Sequence, residues 1–196
     1  MIVCVSGHNR SGTTMMVEAL RRAGLDFGRY EDLDPTVLEN MAYRQVSSRA
    51  LAKLGPGKAY DLDWGEEGVF AEAWDAFDRE LLPEVEAWKD PQAALLALWW
   101  MRKLPRIKWV IMMRHPLECV RSMGGDDEDS GALLWALYYR RVLATIPEDS
   151  RLIVQYERVL AEPELEFEWV LDFLDLDADP EKMAAVVERG KRRYEA

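Results

Sequence analysis

Histidine and cysteine are scarce in this chain, two of each among 196 residues. They form no cluster with metal-ligand spacing, which excludes a metal centre built on them. Cys4 lies in an apolar, strand-like run and Cys119 in a helical pattern, so buried free thiols are expected rather than a disulfide. Basic charge is also short. The 25 Lys and Arg against 36 Asp and Glu leave a net charge of -11, a field that excludes general affinity for nucleic acid or for an anionic membrane. Any anionic ligand has to be met by a local basic pocket. Long apolar runs are missing too: the longest, Ala93 to Met101, cannot span a bilayer. The opening I-V-C-V-S passes straight into polar G-H-N-R-S without a basic leader or cleavage site, so a cytoplasmic protein with no membrane partner is expected. There is no repeat, low-complexity tract or linker. A chain that is 49% apolar and of this length suits one sizeable core, so residues 1–196 are expected to form a single domain. Nothing in the sequence sets an oligomeric state.

What is present is an alternation of short apolar runs and helical patterns. Ile2 to Val5 is an apolar run before a glycine-rich turn, after which Met15, Met16, Ala19, Leu20 and Ala23 recur at helical spacing as far as Gly24. A second run, Trp109 to Met113, leads into Arg114-His115-Pro116 and a short helix to Met123; a third, Leu152 to Val154, leads into Tyr156-Glu157. Helices are expected over roughly Thr36 to Leu54, over Glu66 to Leu82 with Phe70, Trp74, Phe77 and Leu81 on one face, over the nearly all-apolar Ala93 to Met101, and from Pro163 onward with an acidic turn at Asp175 to Asp179. The acidic run Asp126 to Asp129, flanked by glycines, reads as an exposed loop. Strands alternating with helices imply an α/β three-layer fold, a mostly parallel central sheet flanked by helices.

The turn after the first strand, G-H-N-R-S-G-T-T over residues 7–14, has the two glycines and terminal threonine of a phosphate loop, G-x-x-x-x-G-K-[ST]. Thr13 stands where that loop keeps its lysine. The second apolar strand ends in Arg114, where a triphosphate enzyme keeps an acidic residue to help hold Mg²⁺. Together the two departures point to an anionic ligand met by arginine and backbone N–H donors without a metal. Arg10 is the replacement cation in the loop.

With these residues in view, the chain resembles the sulfotransferase family that uses 3′-phosphoadenosine 5′-phosphosulfate (PAPS). The loop is similar to that family's 5′-phosphosulfate loop, and R-H-P-L-E-C-V-R-S, residues 114–122, to its 3′-phosphate motif of an Arg and a Ser eight positions later. K-D-P at Lys89 to Pro91 and Y-E-R-V-L-A-E-P followed by F-L-D-L are weaker echoes in the right order. The resemblance implies a P-loop fold, transfer of a sulfuryl group from PAPS to a hydroxyl or amine of a small-molecule acceptor, and adenosine 3′,5′-bisphosphate (PAP) as product. It implies that Gly7, Asn9, Arg10, Ser11, Gly12, Thr13 and Thr14 cradle the 5′ end, that Arg114 and Ser122 hold the 3′-phosphate and that Tyr156 meets adenine. Arg10 and Lys89 would be the cations at the transferring group.

The sequence departs from the family at Met15, where members often carry a tryptophan, and at Asp90, which follows Lys89 where a catalytic histidine is expected close by. The general base is therefore open among Glu39, nominated because D-P-T-V-L-E-N over residues 34–40 is similar to a helix-start glutamate of the family, His8 in the loop, and Asp90. Each nomination has a plainer alternative: Lys89 as a solvated lysine, Glu39 as a helix-start carboxylate favoured by the dipole, Ser122 bonded within its helix, Tyr156 as a core tyrosine. Two other functions share the pattern, a small P-loop kinase using ATP and Mg²⁺ and a nucleotide-binding protein that has lost turnover. The acceptor is expected in a cleft between the loop and the helices of residues 36–54 and 66–82. The acidic run at 126–129 would suit a cationic one.

Overall fold

The computed structural model describes residues 1–54, 58–60, 82, 84–124 and 127–194. Four strands, β1 (Ile2–Gly7), β2 (Ala87–Lys89), β3 (Ile107–Met113) and β4 (Arg151–Gln155), pair in parallel in the order β2-β1-β3-β4. The register sets Val5 opposite Lys89 and Val110, and Val110 opposite Leu152. Every strand therefore ends at the same edge. The residues that follow them, the 7–12 loop, Asp90, Arg114 and Tyr156, gather there, where ligands collect in open parallel sheets.

The side-chain alternation of the strands divides the core into two layers. Val3, Val5, Val110 and Met112 point to one face and pack with Met16 and Leu20 of α1 (Thr13–Arg22) and with Phe167, Val170 and Met183. Cys4, Trp88, Trp109 and Ile111 point to the other face and pack with Tyr43 and Val46 of α2 (Met41–Leu54), Trp100 of α3 (Ala97–Lys103) and Tyr138. Sheet and flanking helices form the three layers expected. Both cysteines are free and buried. The chain continues through α4 (Pro116–Ser122), α5 (Glu128–Thr145), α6 (Tyr156–Ala161), α7 (Pro163–Leu174) and α8 (Pro180–Tyr194). The acidic stretch 175–179 forms the turn between α7 and α8, with Asp175 at φ 53. Among the described residues no helix is long and apolar enough to cross a membrane.

Several expectations need revision. The helix anticipated from Thr36 begins at Met41, because Asn40 Oδ1 accepts from the Ala42 and Tyr43 amides and so caps it there. Residues 33–40 instead form a tight strap, closed by a bridge between Leu33 and Asn40. Of the acidic run expected as a loop, Asp126 lies outside the described residues and the rest opens a helix: Asp127 caps α5 by accepting from Ser130 N at 3.0 Å, and Glu128 and Asp129 fill the first turn, where negative charge suits the helix dipole. The apolar stretch from Ala93 is a short 3-10 turn, Ala93–Leu96, leading into α3. Strand β2 has no counterpart among the sequence expectations, and the helix expected over 66–82 lies outside the described residues except for Leu82.

Candidate active site

The loop closes on itself through Ser11 N donating to His8 O at 3.1 Å, and α1 starts directly after Gly12. Arg10 adopts a left-handed φ of 67 and Gly12 one of 97, a turn that only a loop held from several sides retains. A methyl group on Gly7 would collide with the Met112 carbonyl, and one on Gly12 with the Tyr156 ring. Both glycines are thus required by close approach to β3 and to α6. The first-turn N–H groups of a helix have no intrahelical partners, and no side chain caps those of α1, which leaves them open to an anion. This end of the helix suits a phosphate or sulfate. Thr13 and Ser11 are buried there, with Thr14 half-buried beside them.

Two tyrosines of α5 hold the loop from behind. Tyr139 Oη donates to Met112 O at 2.7 Å and accepts from His8 N at 3.3 Å, tying the end of β3 to the start of the loop. Tyr138 Oη donates to Pro91 O at 2.9 Å and lies 3.0 Å from Ser6 Oγ, while Ser6 Oγ donates to Asp90 O at 2.8 Å. These anchors escaped the sequence reading along with α5 itself.

On the β3 and β4 side, Arg114, Ser122, Tyr156 and Arg10 come together. Arg114 stacks over the Tyr156 ring at 4.7 Å and donates to Arg10 O at 3.3 Å. Arg10 Nε donates to Ser122 Oγ at 3.1 Å and to Ser122 O at 3.2 Å. The spacing from Arg114 to Ser122 therefore closes through α4, whose Pro116 occupies the first turn. His115 plays a structural part, its backbone N donating to Glu157 Oε1 at 2.9 Å. Arg10 is turned toward this group of residues rather than toward Lys89.

On the β2 side the charges are buried. Lys89 is 2% exposed, which removes the solvated alternative. Its Nζ donates to Thr14 Oγ1 at 3.2 Å, to Glu39 Oε1 at 3.4 Å and to the Val37 carbonyl. Burial lowers the Lys89 ammonium from its ordinary value, with Glu39 acting in the opposite direction. Glu39 is also buried, and its Oε2 faces Arg44 Nε at 3.2 Å. It is a paired internal carboxylate at the end of the strap, not a solvated helix-start residue. Asp90 is fully buried; Oδ1 accepts from Gln92 N at 2.8 Å and the Ser47 hydroxyl bonds to the carboxyl as well. Burial pushes its carboxyl up to about 7, against the Ser47 and Gln92 hydrogen bonds.

His8 is buried and edge-on to Tyr138 at 5.8 Å, with Nδ1 3.2 Å from Asn9 O. Burial lowers its imidazole from the ordinary value, leaving the ring neutral near pH 7. A cleft of about 530 Å³ opens in front of it, lined by the loop (Gly7, His8, Asn9), by α2 and by Pro91, Gln92 and Leu95. Ala59 and Tyr60 line it as well. Of the three base candidates, only His8 is among the residues that line this cleft. Among the described residues no three His, Cys, Asp or Glu side chains gather as a metal set.

The model of the sulfotransferase family matches residues 3–180. The structure is similar to the sulfotransferase domain of the Synechococcus PCC 7002 olefin synthase, at 20% identity and a TM-score of 0.54 over 93% of this chain and 75% of that one. It is similar to sulfotransferase STF9 from Mycobacterium avium, at 12% identity and a TM-score of 0.56 over 98% and 68%. Mouse sulfotransferase SULT7A1, solved in complex with PAP, matches at 12% identity and a TM-score of 0.50 over 95% and 63%. At such identities these likenesses establish the shared fold. A search of curated protein sequences gives no significant match.

Proposed function

Because the chain belongs to the sulfotransferase family, we propose that its single domain carries a sulfuryl group from PAPS to a hydroxyl or amine of a small-molecule acceptor, without a metal. The observation that carries this reading is the meeting of Arg10, Arg114 and Ser122 beside a loop whose other flank is Lys89. Two separate cationic positions flank one helix N-terminus, as a ligand with anions at both ends requires.

The residues present fit such a donor. The uncapped first turn of α1 with Ser11, Thr13 and Thr14 suits the 5′ end; Arg114 and Ser122 suit the 3′-phosphate; the Arg114-backed Tyr156 ring suits the base. When bound, PAPS supplies an activated sulfuryl group whose bond to the phosphate oxygen breaks as the acceptor oxygen bonds sulfur, leaving PAP. Lys89, held next to Thr14, balances charge at that end of the loop. Arg10, bonded to Ser122, acts here on the donor's 3′ side, and reaching the transferring group requires it to leave Ser122. His8 takes the acceptor proton, because it lines the cleft in its neutral form. Glu39, between Lys89 and Arg44, acts as a positioning residue for the lysine.

Calorimetry with PAP and AMP, each with and without EDTA, tests the donor side. A charged hydrogen bond contributes roughly 1.5 to 3 kcal/mol, so PAP should bind about ten-fold to over a hundred-fold more tightly than AMP. Arg114→Ala should erase most of that difference. Equal affinities, or binding that requires Mg²⁺, would overturn the reading.

A further inference from the structure

We infer that the acceptor is an uncharged alcohol or phenol whose body lies on Leu51 and Leu95 and whose second polar group, a carbonyl or ether oxygen, is read by the side-chain amide of Gln92. The inference rests on the sulfuryl-transfer reading above and narrows it from hydroxyl or amine to one class.

The walls of the cleft supply the first half of the argument. Leu51 and Ala52 of α2 line it together with Leu95 and Ala59, and an apolar wall favours an apolar body while penalising a desolvated charge. Burial holds the titratable groups that line it in their neutral forms, lowering His8 and raising Tyr60 and Tyr138. Of the acidic run at 126–129 that suggested a cationic acceptor, two members are engaged elsewhere, Asp127 capping α5 and Glu128 pairing with Arg121 at 3.0 Å, and none of the described residues that line the cleft is acidic.

Gln92 supplies the second half. Its backbone N is fixed by Asp90 Oδ1 at 2.8 Å, and its Oε1 accepts from Ser48 Oγ at 2.9 Å. The carbonyl end of the amide is thereby engaged, and the NH₂ end, a pure donor, is the end left for a ligand in the cleft that Gln92 lines. A donor fixed in this way selects a ligand with an acceptor oxygen and disfavours one that places an ammonium there. The selecting pair spans two elements, Ser48 on α2 and Gln92 after β2, so it also reports how the two walls are set.

Matched phenols test the assignment on the full chain loaded with PAP or supplied with PAPS. Among 4-hydroxyacetophenone, 4-ethylphenol, tyramine and 4-hydroxybenzoate, the first should be preferred over the second by about ten-fold, one hydrogen bond's worth, and the two charged phenols should be poorest. Gln92→Leu should bring the ratio of the first two near one. Gln92→Glu should move the preference to tyramine, and Ser48→Ala should blunt selectivity by freeing the amide to turn. PAP binding measured in each variant checks that the fold stands. If tyramine or 4-hydroxybenzoate is the best wild-type ligand, if Gln92→Leu leaves the ratio unchanged, or if PAP binds and none of the four phenols does, the inference is overturned. Failure of PAP itself to bind instead overturns the sulfuryl-transfer reading beneath it.

Discussion

The two flanks of the loop meet charge in opposite ways. On the β3 and β4 side, Arg10 and Ser122 are exposed and bonded to each other. On the β2 side, Lys89, Glu39 and Asp90 lie at 2%, 8% and 0% exposure and are locked into hydrogen bonds. Exposed guanidinium groups adapt to an arriving phosphate and cost little when unoccupied, since water solvates them. A buried ammonium is already desolvated and positioned, which strengthens its action on a nearby oxyanion, but it requires a standing partner to be tolerated at all. The difference suggests a division of labour in which one flank captures the donor and the other acts on the transferring group.

The sharpest way to break this division is Lys89→Met. Turnover should fall by about 10² to 10³, the loss of roughly 2.7 to 4 kcal/mol typical of a missing preorganised charge, while PAP affinity changes far less. A loss confined to PAP affinity would place Lys89 with the capturing flank. Arg10→Ala is the next test. It should weaken donor binding about ten-fold or more and raise KM more than it lowers kcat, as befits an exposed residue bonded to Ser122. A drop in kcat at saturating PAPS would return Arg10 to the transferring group.

Asp90→Asn sharpens the buried side. The folded-state carboxyl is raised to about 7 while the unfolded chain keeps the ordinary value of 3.8. Between those values the folded protein binds the extra proton, so its contribution to stability is complete below about pH 4 and is lost as pH rises through 7. Asparagine keeps an acceptor for Gln92 N. Denaturation of both forms should therefore show Asn gaining on Asp by roughly 2 to 4 kcal/mol between pH 4 and 8; parallel curves would mean that Asp90 is ionised throughout. The smallest effect expected is in the pH profile of kcat. With His8 as base, the acidic limb should lie below pH 6.5, because burial lowers that imidazole. A limb near 7 that disappears in Asp90→Asn would transfer the role.

How far these features were legible depended on the kind of signal. The first strand, the loop and α1 could be read because glycine spacing and helical periodicity coincide there, and Arg114 with Ser122 could be read because residues 114–122 resemble a known phosphate motif and α4 leads from just after the one to the other. Strand β2 carried no such signal. Three residues, A-W-K, are too few for alternation, and only pairing with β1 defines them. Helix α5 was concealed by its own start signal: acidic residues between glycines suggest a loop until Asp127 is recognised as a cap and Gly131 as a packing site, where a methyl group would strike Val120. With α5 unseen, Tyr138 and Tyr139 went unnamed. Glu39 was found by resemblance, yet its burial against Lys89 and Arg44 depends on the strap at 33–40, a tertiary arrangement no local pattern encodes.

Trp88 precedes Lys89 on β2, stacks on Tyr43 of α2 at 4.7 Å and lies 5.2 Å from Trp100. An indole sealed in this way emits at short wavelength, and its quantum yield responds to small changes in the distance and tilt of its neighbours. Any ligand that draws Lys89 away from Val37 and Glu39 tugs on the adjoining peptide and hence on that stack. The protein therefore carries a built-in fluorophore one residue from its buried cation, and because it is one of eight tryptophans, the part of a stopped-flow emission change that Trp88→Phe removes is the part that times events at that lysine.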